Sequence, residues 1–452
     1  MSMPPYLPQT EDDQRVMLDT IGFQSIEQLF DDIPAAYRFP KLNLPQAVSE
    51  LEVLDELYGM ALKNSTTGCF ATFIGAGAYN HFVPSAVPYL AGRGEFVTAY
   101  TPYQPEVSQG TLQAIFEYQS MIAELTGMEV VNASHYDGAT SMAEAAIMSI
   151  NVARGKRRKI IVSPRVHPQY RQVLRTYLPG DQVEITGDKN LNTSLDELKD
   201  LLDEHTACLI VQNPDFLGQL LEVDQLAETV HAAGALLVVV TNPIHSLGLL
   251  KPPGEYGADI VVAEGQPLGA GLNFGGPYLG IFASKMKLVR QMPGRLVGET
   301  VDTEGKRGYV LTLSPREQHI RREKATSNIC TNQGLVALTA GLYLAYMGKS
   351  GLRAVSELCY HRAHYAASEI DHLDNYEVKS TGNFFNEFVV QCPKPVPEMN
   401  EILLENGILG GYDLSEDYPD AKNQMLVCVT ELNDRAQIDR LVAVLSEIGR
   451  GE

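Results

Sequence analysis

The stretch "DIVVAEGQPLGAGLNFGGPYLGIFASK" runs from Asp259 to Lys285. An apolar run ending at Ala263 enters a glycine-rich loop, and a second apolar run around Leu279–Ala283 leaves it. Short apolar runs bounded by turn residues predict strands buried on both faces. After Lys251 the next lysine is Lys285, beyond the second strand, so the loop carries no side-chain amine.

The pattern upstream of this stretch has the same character. Helical stretches such as "SMAEAAIMSINVARG", "QYRQVLRTYL", "SLDELKDLLDEH" and "VDQLAETVHAAG" alternate with strand stretches "KIIVSP", "QVEIT", "ACLIVQNP" and "ALLVVVTN". Alternating units of this kind predict an α/β fold with a mostly parallel sheet covered by helices on both sides. Before them, "TLQAIFEYQSMIAELTG" has apolar residues at helical spacing and Gly127 placed to end the helix. The opening segment reads as short amphipathic helical pieces with proline punctuation. Beyond about Asn328 two long helices are expected, then strand-like pieces "NEFVVQC" and "MLVCVTE" and a final helix. The division expected is a helical arm (1–62), a large domain (63–328) and a smaller α+β domain (329–452).

The chain has 452 residues, 44% of them hydrophobic, which is ample for a large core. Its net charge of −21 repels nucleic acid and anionic membrane, so neither is expected as a partner. No apolar run approaches the roughly 18 residues of a membrane span. The first residues lack the basic and apolar regions of a signal peptide. Six scattered cysteines without a C-x-x-C pair suggest reduced thiols in a cytoplasmic protein, and no metal site is expected.

Four stretches carry polar chemistry. "FIGAGAYNHF" (Phe73–Phe82) has Gly75-x-Gly77, but Asn80 stands where a dinucleotide fingerprint needs a third glycine. The alternative is a turn that lets backbone approach something closely. "SHYDGATSMAEAA" (Ser134–Ala146) offers Asp137 or Thr140 as a cap, with Gly138 and Ser141 beside it. It reads equally as an anion site and as a simple N-cap. "YTPYQPEVSQG" (Tyr100–Gly110) sets Tyr100, Tyr103, Glu106 and Gln109 on a proline-stiffened loop suited to hydrogen bonding in a pocket, or to ordinary packing. "IRREKATSNICTNQ" (Ile320–Gln333) holds Lys324, Thr326, Ser327 and Asn328, as an anion site or a polar hinge. His135 and His167 are isolated and read as structural rather than metal-binding.

"FIGAGAYNHFVPSAV", "TAYTPYQPEVSQGTLQAIFEYQSMIAELTGM", "HYDGATSMAEA" and "IRREKATSNICTNQ" together resemble glycine decarboxylase, the P-protein of the glycine cleavage system. The resemblance extends over nearly the whole chain and points to subunit 1 of the two-subunit form. It implies the PLP-dependent transferase fold type I: a large αβα domain and a smaller C-terminal domain. Catalytic members carry a Schiff-base lysine ahead of a Gly-Gly-Pro segment. Placing Gly275-Gly276-Pro277 on that anchor sets Gln266 at the lysine position, and an amide nitrogen cannot form the aldimine. The strand-end aspartate that pairs with the pyridinium nitrogen aligns near Val240, and the stacking histidine near Thr140.

The resemblance therefore implies a subunit that binds no PLP covalently. Its partner is a PLP-bearing subunit 2, with paired heterodimers as the assembly. Together they would decarboxylate glycine and pass the aminomethyl group to the lipoyl arm of H-protein. Tyr100, Tyr103, Glu106 and Gln109, then Asn80 and His81, are the candidates to reach the partner's site. Gly138, Thr140, Ser141, Lys324, Thr326, Ser327 and Asn328 are candidates for an anion or interface role. The alternatives are a structural or regulatory scaffold of the same complex, or an autonomous PLP enzyme using another lysine.

Overall fold

The computed structural model describes residues 8–97, 100–180, 182–330, 332–380 and 382–451. The first seven residues of the opening arm, Thr98 and Ala99 before the tyrosine-rich loop, and Thr331 of the last motif lie outside them. Two compact units are present, 1–65 and 66–452.

The first unit has helices at Glu11–Ile21 and Glu50–Ala61. Each begins with a reciprocal cap, Thr10 with Asp13 and Ser49 with Glu52, which satisfies N–H groups that a helix start leaves bare. Neither helix buries a residue; Leu51, Leu54, Leu57 and Tyr58 are exposed.

The second unit is built on a sheet of seven strands among the described residues. Their spatial order is Val130–Val131, Gly280–Ser284, Ile260–Glu264, Leu236–Thr241, Thr206–Gln212, Lys159–Val162, Glu184–Thr186. Gly280–Ser284 runs antiparallel to both neighbours, and the remaining pairs are parallel. Side chains alternate between two cores, as the period of two in a strand requires. Leu209, Leu237, Val239 and Val261 face a core with Tyr118, Ile122, Leu226 and Val230 from the helices on that side. Ile210, Val238, Val240 and Val262 face the opposite core with Met142, Ala146, Tyr170 and Leu174. Both faces are covered, which is why these strands read as continuous Val/Ile/Leu runs.

The Gln109–Thr126 helix ends at Gly127 with φ of 66°, the left-handed cap expected there. The hairpin Leu296–Val301 with Arg307–Thr312 was not legible in the sequence. Half of its first strand is exposed and breaks the alternation. Two glutamines of the 109–126 helix hold it by mimicking a strand neighbour. Gln109 exchanges hydrogen bonds with both backbone groups of Tyr309, and Gln119 does so with Val297.

The two long helices expected after Asn328 form one segment, Gly334–Asp371, broken at Gly348 (φ 61°, ψ −178°). The first limb packs Ala337, Ala340 and Tyr343 into the main core; the second packs Ala363, Ala366 and Ile370 into a separate one. That second core lies against an antiparallel sheet ordered Glu377–Val378, Glu387–Gln391, Gln424–Cys428, Tyr412–Asp413. Ala71–Thr72 pairs in parallel with Ile408–Leu409. This pairing launches residues 73–82 from the C-terminal layer toward the main sheet.

Candidate functional site

Ligands of open parallel sheets sit outside the carboxyl ends of the strands. Here those ends present Gln212, Asn242, Glu264 and Gln266, and residues 75–79 of the chain itself lie across them. Asn242 Nδ2 donates to Gly77 O (3.3 Å), and His167 Nε2 meets Ala76 O (2.9 Å). Gln266, fully buried, accepts from Tyr79 N through Oε1 (3.0 Å) and donates through Nε2 to Tyr79 O (3.0 Å) and Ala270 O (2.8 Å). From the C-terminal sheet, Glu387 accepts from Ala76 N (2.7 Å) and Tyr79 OH (2.8 Å). Burial pushes the Glu387 carboxyl up to about 7.

The glycines of Gly75-x-Gly77 follow from this packing. A Cβ on Gly75 would stand 2.6 Å from Glu387 Oε1, and one on Gly77 2.4 Å from His167 Nε2, where φ is +108°. Of the two sequence readings, close backbone approach is the one observed, and the approach is to the protein's own side chains.

The N-terminus of the Gly138–Val152 helix is also filled. Asp137 caps it, accepting from Thr140 N (2.7 Å), while Thr140 Oγ1 and Ser141 Oγ donate to Asp137 O. Glu264 Oε2 accepts from Gly138 N (3.0 Å), and Oε1 accepts from Gln266 N and Leu279 N. Burial raises Glu264 to about 7 against the pull of these donors. Val240 is fully buried in the core beneath this helix.

Just beyond the crossing segment, Asn80 O accepts from Thr430 Oγ1 (2.8 Å). His81 Nδ1 lies 2.6 Å from Glu431 Oε2, and its ring stacks on His245 with centroids 4.2 Å apart. Burial would raise the Glu431 carboxyl, but the His81 hydrogen bond and charge outweigh it and hold Glu431 at about 2. The ligand atoms of His81, Cys359 and Glu431 lie within 4.8 Å of one another. Chain spacing could not reveal this grouping, because Cys359 and Glu431 are 72 residues apart and His81 is 350 from Glu431.

Tyr100 and Pro102 line a cavity of 450 Å³ with Arg295, Asn332 and Gln333. Tyr100 is 87% exposed and Tyr103 half-exposed. Arg295, 4% exposed, donates to Tyr103 OH (3.0 Å) and to Asn332 Oδ1 (3.2 Å). Glu106 is exposed, and both amide atoms of Gln109 are engaged with Tyr309. Thr140 meets Thr326, Ser327 and Asn328 in a second cavity; Lys324 is exposed. The candidates thus do not form one site. Gln266 fills the strand-end cleft, and Asn80 and His81 meet Thr430 and Glu431. Tyr100 and Tyr103 lie by Arg295, Gln109 holds the hairpin, and Thr140, Thr326, Ser327 and Asn328 share the cavity beside the Gly138–Val152 helix. Sequence reasoning missed Tyr79, Glu264, Arg295, Glu387 and Glu431. Only Glu264 had a signal, as a carboxylate ending an apolar strand.

Known proteins share this chain's sequence and fold. The profile of the glycine cleavage system P-protein family matches residues 4–445. A relative from Thermomicrobium roseum, named probable glycine dehydrogenase (decarboxylating) subunit 1, is 56% identical over 98% of this chain and 99% of its own. A crystal structure of glycine decarboxylase (P-protein) of the glycine cleavage system, in inhibitor-bound form, superposes with a TM-score of 0.91 at 44% identity. It covers 98% of this chain and 100% of that one. Burkholderia pseudomallei sphingosine-1-phosphate lyase shares the fold at 14% identity (TM-score 0.64, 92% of this chain and 94% of that one). The fold is that of PLP-dependent fold type I enzymes, and the chain belongs to the glycine cleavage system P-protein family.

Proposed function

We propose that this chain is subunit 1 of a two-subunit glycine dehydrogenase (decarboxylating), a subunit that binds no PLP and completes the site of a PLP-bearing subunit 2. The observation that carries the reading is the strand-end cleft. PLP needs a lysine amine, an anion-binding helix start and a carboxylate under its ring nitrogen. The residues present do not fit that group. Gln266 stands at the lysine position with both amide atoms bonded to the backbone of Tyr79. Glu264 already takes Gly138 N, so that donor is not open to a phosphate. Val240 offers only methyl groups at the position of the pyridinium aspartate.

In the assembled enzyme, glycine is decarboxylated at the partner and its aminomethyl group passes to the lipoyl arm of H-protein. This chain shapes the pocket and excludes water from it. Tyr100, Tyr103 and Glu106 are the foremost contributors, because they are exposed on a loop held by Arg295. Gln109, Asn80 and His81 follow, then Gly138, Thr140, Ser141, Lys324, Thr326, Ser327 and Asn328 in an interface role, the buried Glu144 beside them arguing against an anion. A scaffold role is favoured at Gln109, whose amide is engaged with the backbone of Tyr309. The exposed apolar residues of the Glu50–Ala61 helix support assembly into paired heterodimers. The separate core around Glu387–Gln391 supports a small C-terminal domain at 329–452. Among the described residues no helix is long and apolar enough to cross a membrane, and we place the enzyme in the cytoplasm.

The test is the near-visible absorbance of the isolated chain with excess PLP, before and after borohydride. The expected result is no aldimine band and no trapped adduct, with glycine-dependent activity appearing only when subunit 2 is added. A lysine adduct mapped to the cleft would overturn the reading. Tyr103→Phe and Glu106→Gln should lower the decarboxylation and exchange rates of the complex; unchanged rates would leave only the scaffold role.

A further inference from the structure

The Gly138–Val152 helix borders a cavity of 320 Å³ whose far wall is Thr326–Ile329. Glu144 lines it and is only 6% exposed. One carboxylate oxygen accepts from Ser327 Oγ at 2.6 Å; the other is buried and has no partner among the described residues. A carboxylate out of water without a counter-charge is costly, and burial lifts this one to about 7. A proton would neutralise it, shared with Ser327 Oγ, but would leave the second carboxyl oxygen without a donor. A cation bearing N–H donors answers both needs.

The rest of the wall fits such a cation. Thr140, Thr326 and Asn328 offer oxygen acceptors, and Ile147 and Ile329 offer apolar surface for a short stem. No lysine or arginine lines the cavity, and burial keeps the His135 ring neutral at about 3. We propose that this cavity is a binding site for a primary ammonium group on a short apolar stem, held by Glu144 and the oxygens of Thr140, Thr326 and Asn328. A ligand that also carries a carboxylate, as glycine does, is disfavoured, because the wall holds no cation to balance it and Glu144 would repel it. The ammonium has two sources: a free aliphatic amine, or a lysine of the partner subunit. The second source depends on the assembly proposed above; the site itself does not.

The full-length chain is titrated with propylammonium chloride, followed by melting temperature and ligand-observed NMR, with sodium propionate and glycine as controls. Saturable stabilisation by the amine is expected, with none by propionate and little by glycine. Glu144→Gln should weaken amine binding by about tenfold or more, the loss expected for a charge-assisted hydrogen bond. Glu144→Asp, which keeps the charge but withdraws it, should fall between, and it carries the test if the glutamine variant does not fold. Equal responses in wild type and variants, or no saturable response of the wild type at millimolar amine, would overturn the proposal. The titration is then repeated on the complex with subunit 2. A response that persists assigns the site to a free amine; one that disappears assigns it to the partner's lysine. The PLP absorbance test reports on the proposed function independently, so failure of either can be told from failure of the other.

Discussion

At the scale of single residues, Gln266 does more than lack an amine. Its amide is saturated by the backbone of Tyr79, so the crossing segment and the strand end are one hydrogen-bonded unit. A lysine placed there should therefore not by itself create cofactor binding. Gln266→Lys is expected to give no aldimine band with PLP and no borohydride-trapped adduct. It should also lower stability by about 1–3 kcal/mol for each buried group of Tyr79 left unpaired, read by urea denaturation. A band near the visible would mean that the segment yields to the cofactor. Gly77 is bound by the same geometry. Gly77→Ala should destabilise by several kcal/mol, on the order of a strained left-handed residue plus a steric clash, because its Cβ would meet His167. An unchanged denaturation midpoint would count against the close packing of residues 75–79.

At the scale of elements, two glutamines on one helix secure a hairpin that has no other sheet to join. Gln119 is buried and Gln109 exposed, so the same deletion should cost different amounts. Gln119→Ala should destabilise by about 2–4 kcal/mol and speed hydrogen exchange at Val297. Gln109→Ala should cost about 1 kcal/mol or less, with water replacing the lost bonds at Tyr309. Equal costs would indicate that the hairpin is held by its apolar contacts rather than by these amides. Gly348 acts at the same scale: its interruption lets one helical segment serve two cores.

At the scale of the whole molecule, buried carboxyls shape the response to pH. Glu264 and Glu387 each sit near 7 when folded, against an ordinary value near 4.5. Each binds its proton more tightly in the folded chain, so its contribution is fully present below pH 4.5 and is lost as pH rises through 7. A shift of this size corresponds to about 3 kcal/mol per group. Glu431, held at about 2, acts oppositely: its contribution is present above pH 4.5 and lost as pH falls toward 2. Glu387→Gln should therefore lose more stability relative to wild type at pH 5 than at pH 8, measured by urea denaturation at both. A difference independent of pH would show that Glu387 keeps its charge on both sides of that window.

The apolar runs by themselves pointed to the main-sheet strands from Lys159 to Ser284, their helical cover and the two central C-terminal strands, because burial leaves a pattern in consecutive residues; Val130–Val131, Glu377–Val378 and Tyr412–Asp413 are too short to show one. The Gly127 cap was legible for the same local reason. Family-specific blocks such as Tyr100–Gly110 determined the family, and spacing from Gly275-Gly276-Pro277 singled out Gln266. The hairpin escaped, since its partners are side-chain amides on a distant helix. What fills the strand-end cleft was decided only by tertiary structure. Tyr79, Glu264 with Gln266, and Glu387 come from three separate parts of the chain, and Cys359 and Glu431 converge from two more on His81, two residues past Tyr79. Hydrogen bonds and charge pairs between residues so far apart follow no period, so only the packing of the strands, the crossing segment and the C-terminal sheet brings them into contact.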